Sequence, residues 1–344
     1  MNDEQLKRWM EKRKQRKEAL TKDKLMEGIL AGNHTALSSA ITLLESNLPK
    51  DQEVAKELVS ACLPHAGNSI RVGITGVPGV GKSTFIESFG MHLLKENKKV
   101  AVLAIDPTSE KSGGSILGDK TRMQDLSQQK NVFIRPSAAG DSLGGVARKT
   151  REAVFLCEAA GFEIILIETV GVGQSETVVH SMVDFFLLLM LSGAGDELQG
   201  IKRGIMEMAD ALVITKADGD NVRKSNLARR EYANAMHLFP PNKNEWIPKA
   251  LTASSLTKTN IDKVWDTILA FQNQTKINGW FNKKRQSQDK YWMNESLKEL
   301  LMADFFLNSA VKERLKQEEA AVLKGEKSSF QSADDLFEFY KQNR

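Results

Sequence analysis

Eight consecutive residues, Gly76, Val77, Pro78, Gly79, Val80, Gly81, Lys82 and Ser83, have the spacing G-x-x-x-x-G-K-[ST] of a loop that cradles nucleotide phosphates. Glycines at these positions let backbone N–H groups face a phosphate. Lys82 would bring its charge to the outer phosphates, and the Ser83 hydroxyl would be a ligand for Mg²⁺. Such a loop has to join a strand to a helix, and the flanks fit. Arg71 to Thr75 is a short run with strand character, and Thr84 opens a stretch to Lys95 with Phe85, Phe89, Leu93 and Leu94 at helical spacing. The helix N-terminus would add partial positive charge beside the phosphates.

A second segment bears on the base. Ala211 to Ile214 is apolar and runs into Thr215, Lys216, Ala217 and Asp218, a variant of the base-reading motif N-K-x-D. The Asp218 carboxylate can accept from N1–H and the 2-amino group of guanine. Adenine offers an acceptor at N1 and no 2-amino group, so leaving a buried carboxylate unpaired would discriminate by roughly 10⁴-fold. Lys216 would lay its stem along the base. Further on, Ser254, Ser255 and Leu256 follow an apolar run and fit a loop that covers guanine.

A third segment concerns the γ-phosphate. The apolar run Ile164 to Ile167 ends in Glu168, with Gly171 three residues later. In phosphate-loop proteins an acid here approaches Mg²⁺ and the glycine offers its N–H to the γ-phosphate. Glu is longer than the usual Asp and suits a contact through metal-bound water. Asp106 closes the run Val100 to Ile105, and Asp119 lies in a glycine-rich stretch from Ser112 to Arg122. Taken alone, Asp106 reads equally as a turn cap and Asp119 as a solvated loop acid.

The elements that would position these residues form an α/β chain. From 71 to about 273, strand-like runs (Val100–Ile105, Asn131–Ile134, Glu163–Ile167, Asp184–Leu191, Ala211–Thr215, Ile247–Leu251) alternate with helical stretches. The pattern predicts a mostly parallel sheet flanked by helices, with ligands at the carboxyl ends of the strands. Residues 1–62 form a helical N-terminal extension, 63–273 the phosphate-loop domain and 274–344 a helical C-terminal arm. In that arm Trp292, Leu297, Leu300, Leu301, Phe305, Val311 and Leu315 mark one amphipathic helix whose apolar stripe needs a cover.

Composition excludes other classes. The 344 residues carry 48 basic and 44 acidic side chains, a balance that does not call for nucleic acid, and the basic run near Lys12 to Lys17 is flanked by Glu11 and Glu18, with Asp3 and Glu4 before it. The two cysteines, Cys62 and Cys157, lie far apart without metal-ligand spacing, and the five histidines do not cluster near them, which supports neither a disulfide framework nor a zinc site. The longest apolar run, Val183 to Leu191, is too short to span a bilayer and contains Asp184. A cytoplasmic protein with no membrane and no nucleic-acid partner is expected.

Five segments together resemble the methylmalonyl-CoA mutase-associated GTPase family, metallochaperones of adenosylcobalamin enzymes. They are Gly73–Thr84, Asp106–Ser109, Gly113–Met123, Glu168–Glu176 and Gly193–Lys202. The resemblance implies a nucleotide site of Gly76 to Thr84, with Lys82 as the phosphate-loop lysine, and Gly171, Thr215, Lys216, Asp218, Ser254, Ser255 and Leu256 completing it. It implies Ser83, Asp106, Asp119 and Glu168 around Mg²⁺ and the attacking water, Lys82 and the three acids serving catalysis. Gly118–Asp119 falls in a first switch, Gly171–Glu176 in a second, and Asp196 to Lys202 in a further mobile loop. The chain departs from the family at Thr215 for Asn, Ser255 for Ala and Asn260 for a common Gly. GTP and GDP with Mg²⁺, a homodimer and a partner such as methylmalonyl-CoA mutase follow from the resemblance. An ATP-dependent kinase or transport-linked ATPase, and a nickel-insertion type of GTPase, stand as alternatives. Asp218 opposes the first, and the absence of a Cys/His cluster opposes the second.

Overall fold

A computed structural model describes residues 21–105, 123–136, 143–169, 175–193 and 203–343. Seven strands form one sheet: β1 (Ile70–Gly76), β2 (Val100–Ile105), β3 (Val132–Arg135), β4 (Ile164–Thr169), β5 (Phe185–Met190), β6 (Ala211–Ile214) and β7 (Lys249–Thr252). Their order is β3-β2-β4-β1-β5-β6-β7 and every pairing is parallel. The expected "mostly parallel" sheet is thus wholly parallel. Parallel strands are covered on both faces, which is why they read as continuous apolar runs rather than as alternating ones. In β1, β4 and β5 every residue is buried.

The two faces of the sheet carry separate cores, divided by the two-residue period of a strand. In β6, Ala211 and Val213 join the core that contains Phe85 and Phe89 of α4 (Lys82–Lys95, after the three N-terminal helices below). Leu212 and Ile214 point to the other side, with Ala228, Tyr232 and Met236 of a later helix, Val222–Met236. Helix Ile261–Ile277 closes the first face through Val264, Trp265, Ile268 and Phe271.

Before the sheet come α1 (Lys22–Leu30), α2 (His34–Glu45) and α3 (Pro49–Cys62). Asn33 stops the chain between the first two by accepting from the N–H groups of Thr35 and Ala36. After α4 come α5 (Gln124–Ser127) and α6 (Leu143–Ala159), and α2 and α3 pack on α6. The N-terminal helices are therefore part of the same compact unit as the sheet, which runs from residue 1 to 286.

Several strand ends differ from the sequence reading by one or two residues. β7 begins at Lys249, and Ile247 is left 67% exposed. Pro248 explains this: it has no N–H to give to the ladder, so pairing with β6 starts one residue later. The remaining helices are α7 (Ser175–His180), α8 (Arg203–Met208), α9 (Val222–Met236), α10 (Ile261–Ile277), α11 (Trp280–Leu307), α12 (Ser309–Leu323) and α13 (Ser329–Gln342).

The C-terminal stripe is not one helix. Asn308 breaks it, its side chain accepting from Ala310 N–H and Val311 N–H to cap α12. In the second compact unit, 287–344, Val311 is buried with Leu336 and Tyr340, and Phe305 and Leu315 pack against them. Lys327 ties α12 to α13 through Glu318 and Asp335. Those stripe residues have their own core, whereas Leu297, Leu300 and Leu301 stay more than half exposed.

At the end of the sheet where β1 begins, buried charges are paired. Arg71 binds Glu158 of α6 through Nε and Nη2, each at 2.9 Å, and Glu158 also accepts from Ser69 Oγ and Gly67 N–H. Asp184 accepts from Arg71 N–H and from Arg285 of α11. Burial alone would raise both carboxyls, but the guanidinium groups and hydrogen bonds outweigh it and hold both below their ordinary values. A carboxyl depressed in the fold stabilises it above the ordinary values of 4.5 and 3.8, and that contribution is lost as pH falls through the depressed ones. Arg71→Met should strand the Glu158 charge and lower unfolding stability by about 3–5 kcal/mol, whereas Arg71→Met with Glu158→Leu should recover most of the loss in urea titrations.

Candidate functional site

The phosphate loop leaves β1 at Gly76 and enters α4 at Lys82. A β-carbon at Gly76 would lie 2.5 Å from the Leu189 carbonyl oxygen, so only glycine lets the loop start this close to β5. Val80 is fully buried and anchors the loop from within, while Pro78 and Gly79 face solvent. Lys82 is only 9% exposed. Its Nζ donates to Gly76 O at 2.9 Å and to Val77 O at 3.4 Å, folding the side chain back over the loop. Burial lowers its proton affinity, and the carboxylates of Glu168 and Glu176 offset part of that.

Glu168 ends β4 beside β1, and Ser83 Oγ donates to Glu168 Oε1 at 3.4 Å. One residue on, Thr169 Oγ1 donates to Thr75 Oγ1 at 2.8 Å, which fixes the two strand ends together. Ser83 and Glu168 are hard oxygen donors, side by side at the start of a phosphate-binding helix, and this chemistry fits Mg²⁺. Among the described residues no group of three or more His, Cys, Asp and Glu comes together. Phosphate oxygens and water are further donors that Mg²⁺ commonly takes beside a carboxylate and a hydroxyl. Asp106, Asp119 and Gly171, and the segment Asp196 to Lys202, lie outside the described residues.

The base-reading segment is stitched to the phosphate loop at two points. Thr215 Oγ1 donates to Val80 O at 2.8 Å, with Met190 O at 3.2 Å. The residue that departs from the family's Asn thus has a structural task, holding the β6 end against the loop. Lys216 reaches across the loop, its Nζ 3.0 Å from Gly79 O, and its backbone takes φ 54°. A non-glycine residue in that region needs support. Asn221 gives it, donating to Lys216 O at 2.7 Å while accepting from Ser192 Oγ at 2.7 Å.

Asp218 is held from the next strand. Ser254 Oγ donates to Asp218 Oδ2, Thr257 N–H donates to Ser254 Oγ, and Ala217 N–H donates to Ala253 O. Ser254 is fully buried, and its hydroxyl holds the Asp218 carboxylate through Oδ2. Ser255 is half-buried and Leu256 is 81% exposed at the rim. Asn260, where the family commonly has Gly, sits at φ 59° and its amide donates to Thr252 O at 3.0 Å. The position asks for a left-handed conformation, which Asn supplies with a local hydrogen bond.

Sequence reasoning gave no separate role to Glu176. It is 4% exposed in the first turn of α7, and its Oε2 has no hydrogen-bond partner among the described residues. In the sequence it closes the segment Gly171–Glu176, which the resemblance assigns to a second switch. Taken together, Lys82 and Ser83 at the start of α4 meet Glu168 at the end of β4, and beyond β6 the Asp218 carboxylate is fixed by Ser254.

Comparison with known proteins agrees with this geometry. The family described as methylmalonyl Co-A mutase-associated GTPase MeaB matches residues 37–310. The Escherichia coli protein named GTPase ArgK is 47% identical over 277 residues, which cover 80% of this chain and 84% of that one. The mouse protein named methylmalonic aciduria type A homolog, mitochondrial, is 44% identical over 329 residues, covering 93% of this chain and 79% of that one. A crystal structure described as LAO/AO transport system kinase superposes with a TM-score of 0.73 at 37% identity, covering 93% of this chain and 98% of the other. With the phosphate loop, the Lys216–Asp218 segment and this match over most of its length, the chain belongs to the methylmalonyl-CoA mutase-associated GTPase family.

Proposed function

We propose that the protein hydrolyses GTP to GDP and that this cycle gates delivery of adenosylcobalamin to, or protection of, methylmalonyl-CoA mutase or a related mutase. The observation that carries the nucleotide reading is Asp218, held by Ser254 on the same sheet edge as Lys82, Ser83 and Glu168. Thr215 and Lys216 connect the two halves, so the base and the phosphates of one nucleotide are read by a single rigid edge.

The reaction is phosphoryl transfer to water, and its catalysis is mainly positioning and charge. Lys82 would leave Gly76 O and Val77 O for the outer phosphates, and the loop N–H groups would hold the phosphate oxygens. Ser83 and Glu168, with Asp106 and Asp119, would hold Mg²⁺, which offsets charge on the phosphates. Val172 rather than a glutamine directly follows Gly171, which fits weak intrinsic turnover that a partner raises.

The mutase enters from the family's description, and cobalamin from the sequence resemblance alone. We place the protein in the cytoplasm as a homodimer, with 1–62 as an extension, 63–273 as the GTPase domain and 274–344 as the dimerisation arm. No described helix is long and apolar enough to cross a membrane. Leu297, Leu300 and Leu301, at 54%, 55% and 53% exposure, are the arm residues for the second copy to cover.

Calorimetry should find GTP and GDP binding, and ATP weaker by up to about 10⁴-fold. Equal affinity for ATP would reject the guanine reading. Asp218→Asn should shift preference toward xanthine nucleotides, because the amide can donate to the 2-oxo group of xanthine.

Lys82→Ala should weaken nucleotide binding or turnover, and Glu168→Ala should lower turnover by roughly 10²-fold or more while leaving GDP affinity nearly unchanged. Phosphate release under saturating GTP, with Kd for GDP measured alongside, separates the two effects. Parental turnover in both variants would remove these residues from the site.

Full-length protein should scatter light as a dimer at micromolar concentration, and Leu297→Glu with Leu301→Glu should give a monomer that still binds GTP. A parent that is itself monomeric would reject the arm as a dimer contact.

A further inference from the structure

Thr215 stands where the base-reading motif N-K-x-D has asparagine, and it is only 3% exposed. Its Oγ1 lies 2.8 Å from Val80 O of the phosphate loop and 3.2 Å from Met190 O at the end of β5. Both neighbours are carbonyl oxygens, which only accept, whereas a hydroxyl carries a single proton. That proton is therefore spent inside the protein. Main-chain donors beside it are spent as well: Thr215 N–H gives to Met190 O at 2.8 Å and Ala217 N–H to Ala253 O at 3.1 Å. Lys216 Nζ is turned to the phosphate loop, at Gly79 O.

The place of Thr215 decides which part of a purine it would meet. Asp218 suits N1–H and the 2-amino group, both on the six-membered ring of guanine. Ribose and phosphates hang from N9 on the five-membered ring, so that ring would lie toward the phosphate loop. Thr215, three residues before Asp218 and hydrogen-bonded to Val80 of that loop, stands on the side of the five-membered ring. The hydrogen-bonding atom there is N7, an acceptor. An asparagine amide has two protons and can give one to the loop and the other to N7. Threonine cannot do both. Once a carbonyl holds its proton, it has only lone pairs to show to another lone pair.

We infer that Thr215 is a specificity-determining residue that keeps the loop contact and leaves N7 unread. The site then selects guanine nucleotides through the six-membered ring, and it accepts 2-amino-6-oxopurine nucleotides with carbon at position 7 as readily as those with nitrogen. This specificity rests on the guanine-nucleotide reading above and says which atoms of the base that reading uses.

Calorimetry with Mg²⁺ on the full-length parent, Thr215→Asn and Thr215→Val tests this, using GDP, 7-deaza-GDP, ADP and IDP, which lacks the 2-amino group. The parent should bind 7-deaza-GDP within about two-fold of GDP, less than a hydrogen bond is usually worth. Thr215→Asn should prefer GDP over 7-deaza-GDP by about three- to ten-fold, the worth of one hydrogen bond. Thr215→Val keeps the shape without the donor and should weaken both nucleotides by the same factor. A larger loss on 7-deaza-GDP in the parent would overturn the inference. So would a ratio in Thr215→Asn equal to the parent's, which marks a merely structural residue, or an unequal loss in Thr215→Val. ADP and IDP should both bind the parent more weakly than GDP. If either matches GDP, the guanine reading fails, and the 7-deaza ratio, taken with the adenine pair where adenine binds, still decides the role of Thr215. A parent that binds no nucleotide rejects both.

Discussion

The hydrogen bonds of a parallel sheet constrain all else here, because they force seven strand ends to the same edge. Register then decides which residues meet. β1 pairs with β4 so that Ile74 lies opposite Glu168, and with β5 so that Gly76 lies opposite Leu189. The first pairing brings an acid to the mouth of the phosphate loop. The second brings a backbone carbonyl so close that Gly76 tolerates no side chain. The loop is thus shaped as much by its neighbours in the sheet as by its own glycines. The same constraint, one strand further out, sets Thr215 against Val80 and lets the base-reading segment grip the loop.

How much of this was legible depended on whether the signal was local. The phosphate loop, Asp218 and the parallel sheet are written in short runs of residue types at fixed spacing, so sequence alone placed them. The ends of strands were less legible, because a ladder stops where a partner stops: Pro248 removes one donor and delays β7, although Ile247 looks like strand. The break at Asn308 could have been seen as a cap signal. The continuous apolar spacing across it hid two helices and sent Val311 to a core of its own. Ser254 and Thr215 were located but not understood. Their partners, Asp218 and Val80, are 36 and 135 residues away, distances no pattern in one sequence reveals.

The two ends of β1 treat buried charge in opposite ways. Arg71, Glu158, Asp184 and Arg285 satisfy one another with several hydrogen bonds, at an end of the sheet where no phosphate group is read. A network so complete holds the strand, α6 and the start of α11 in one arrangement. At the loop end the cation Lys82 is satisfied by backbone carbonyls, and Glu176 has an oxygen with no partner among the described residues. Unsatisfied polar groups are expected where a ligand will supply what is missing.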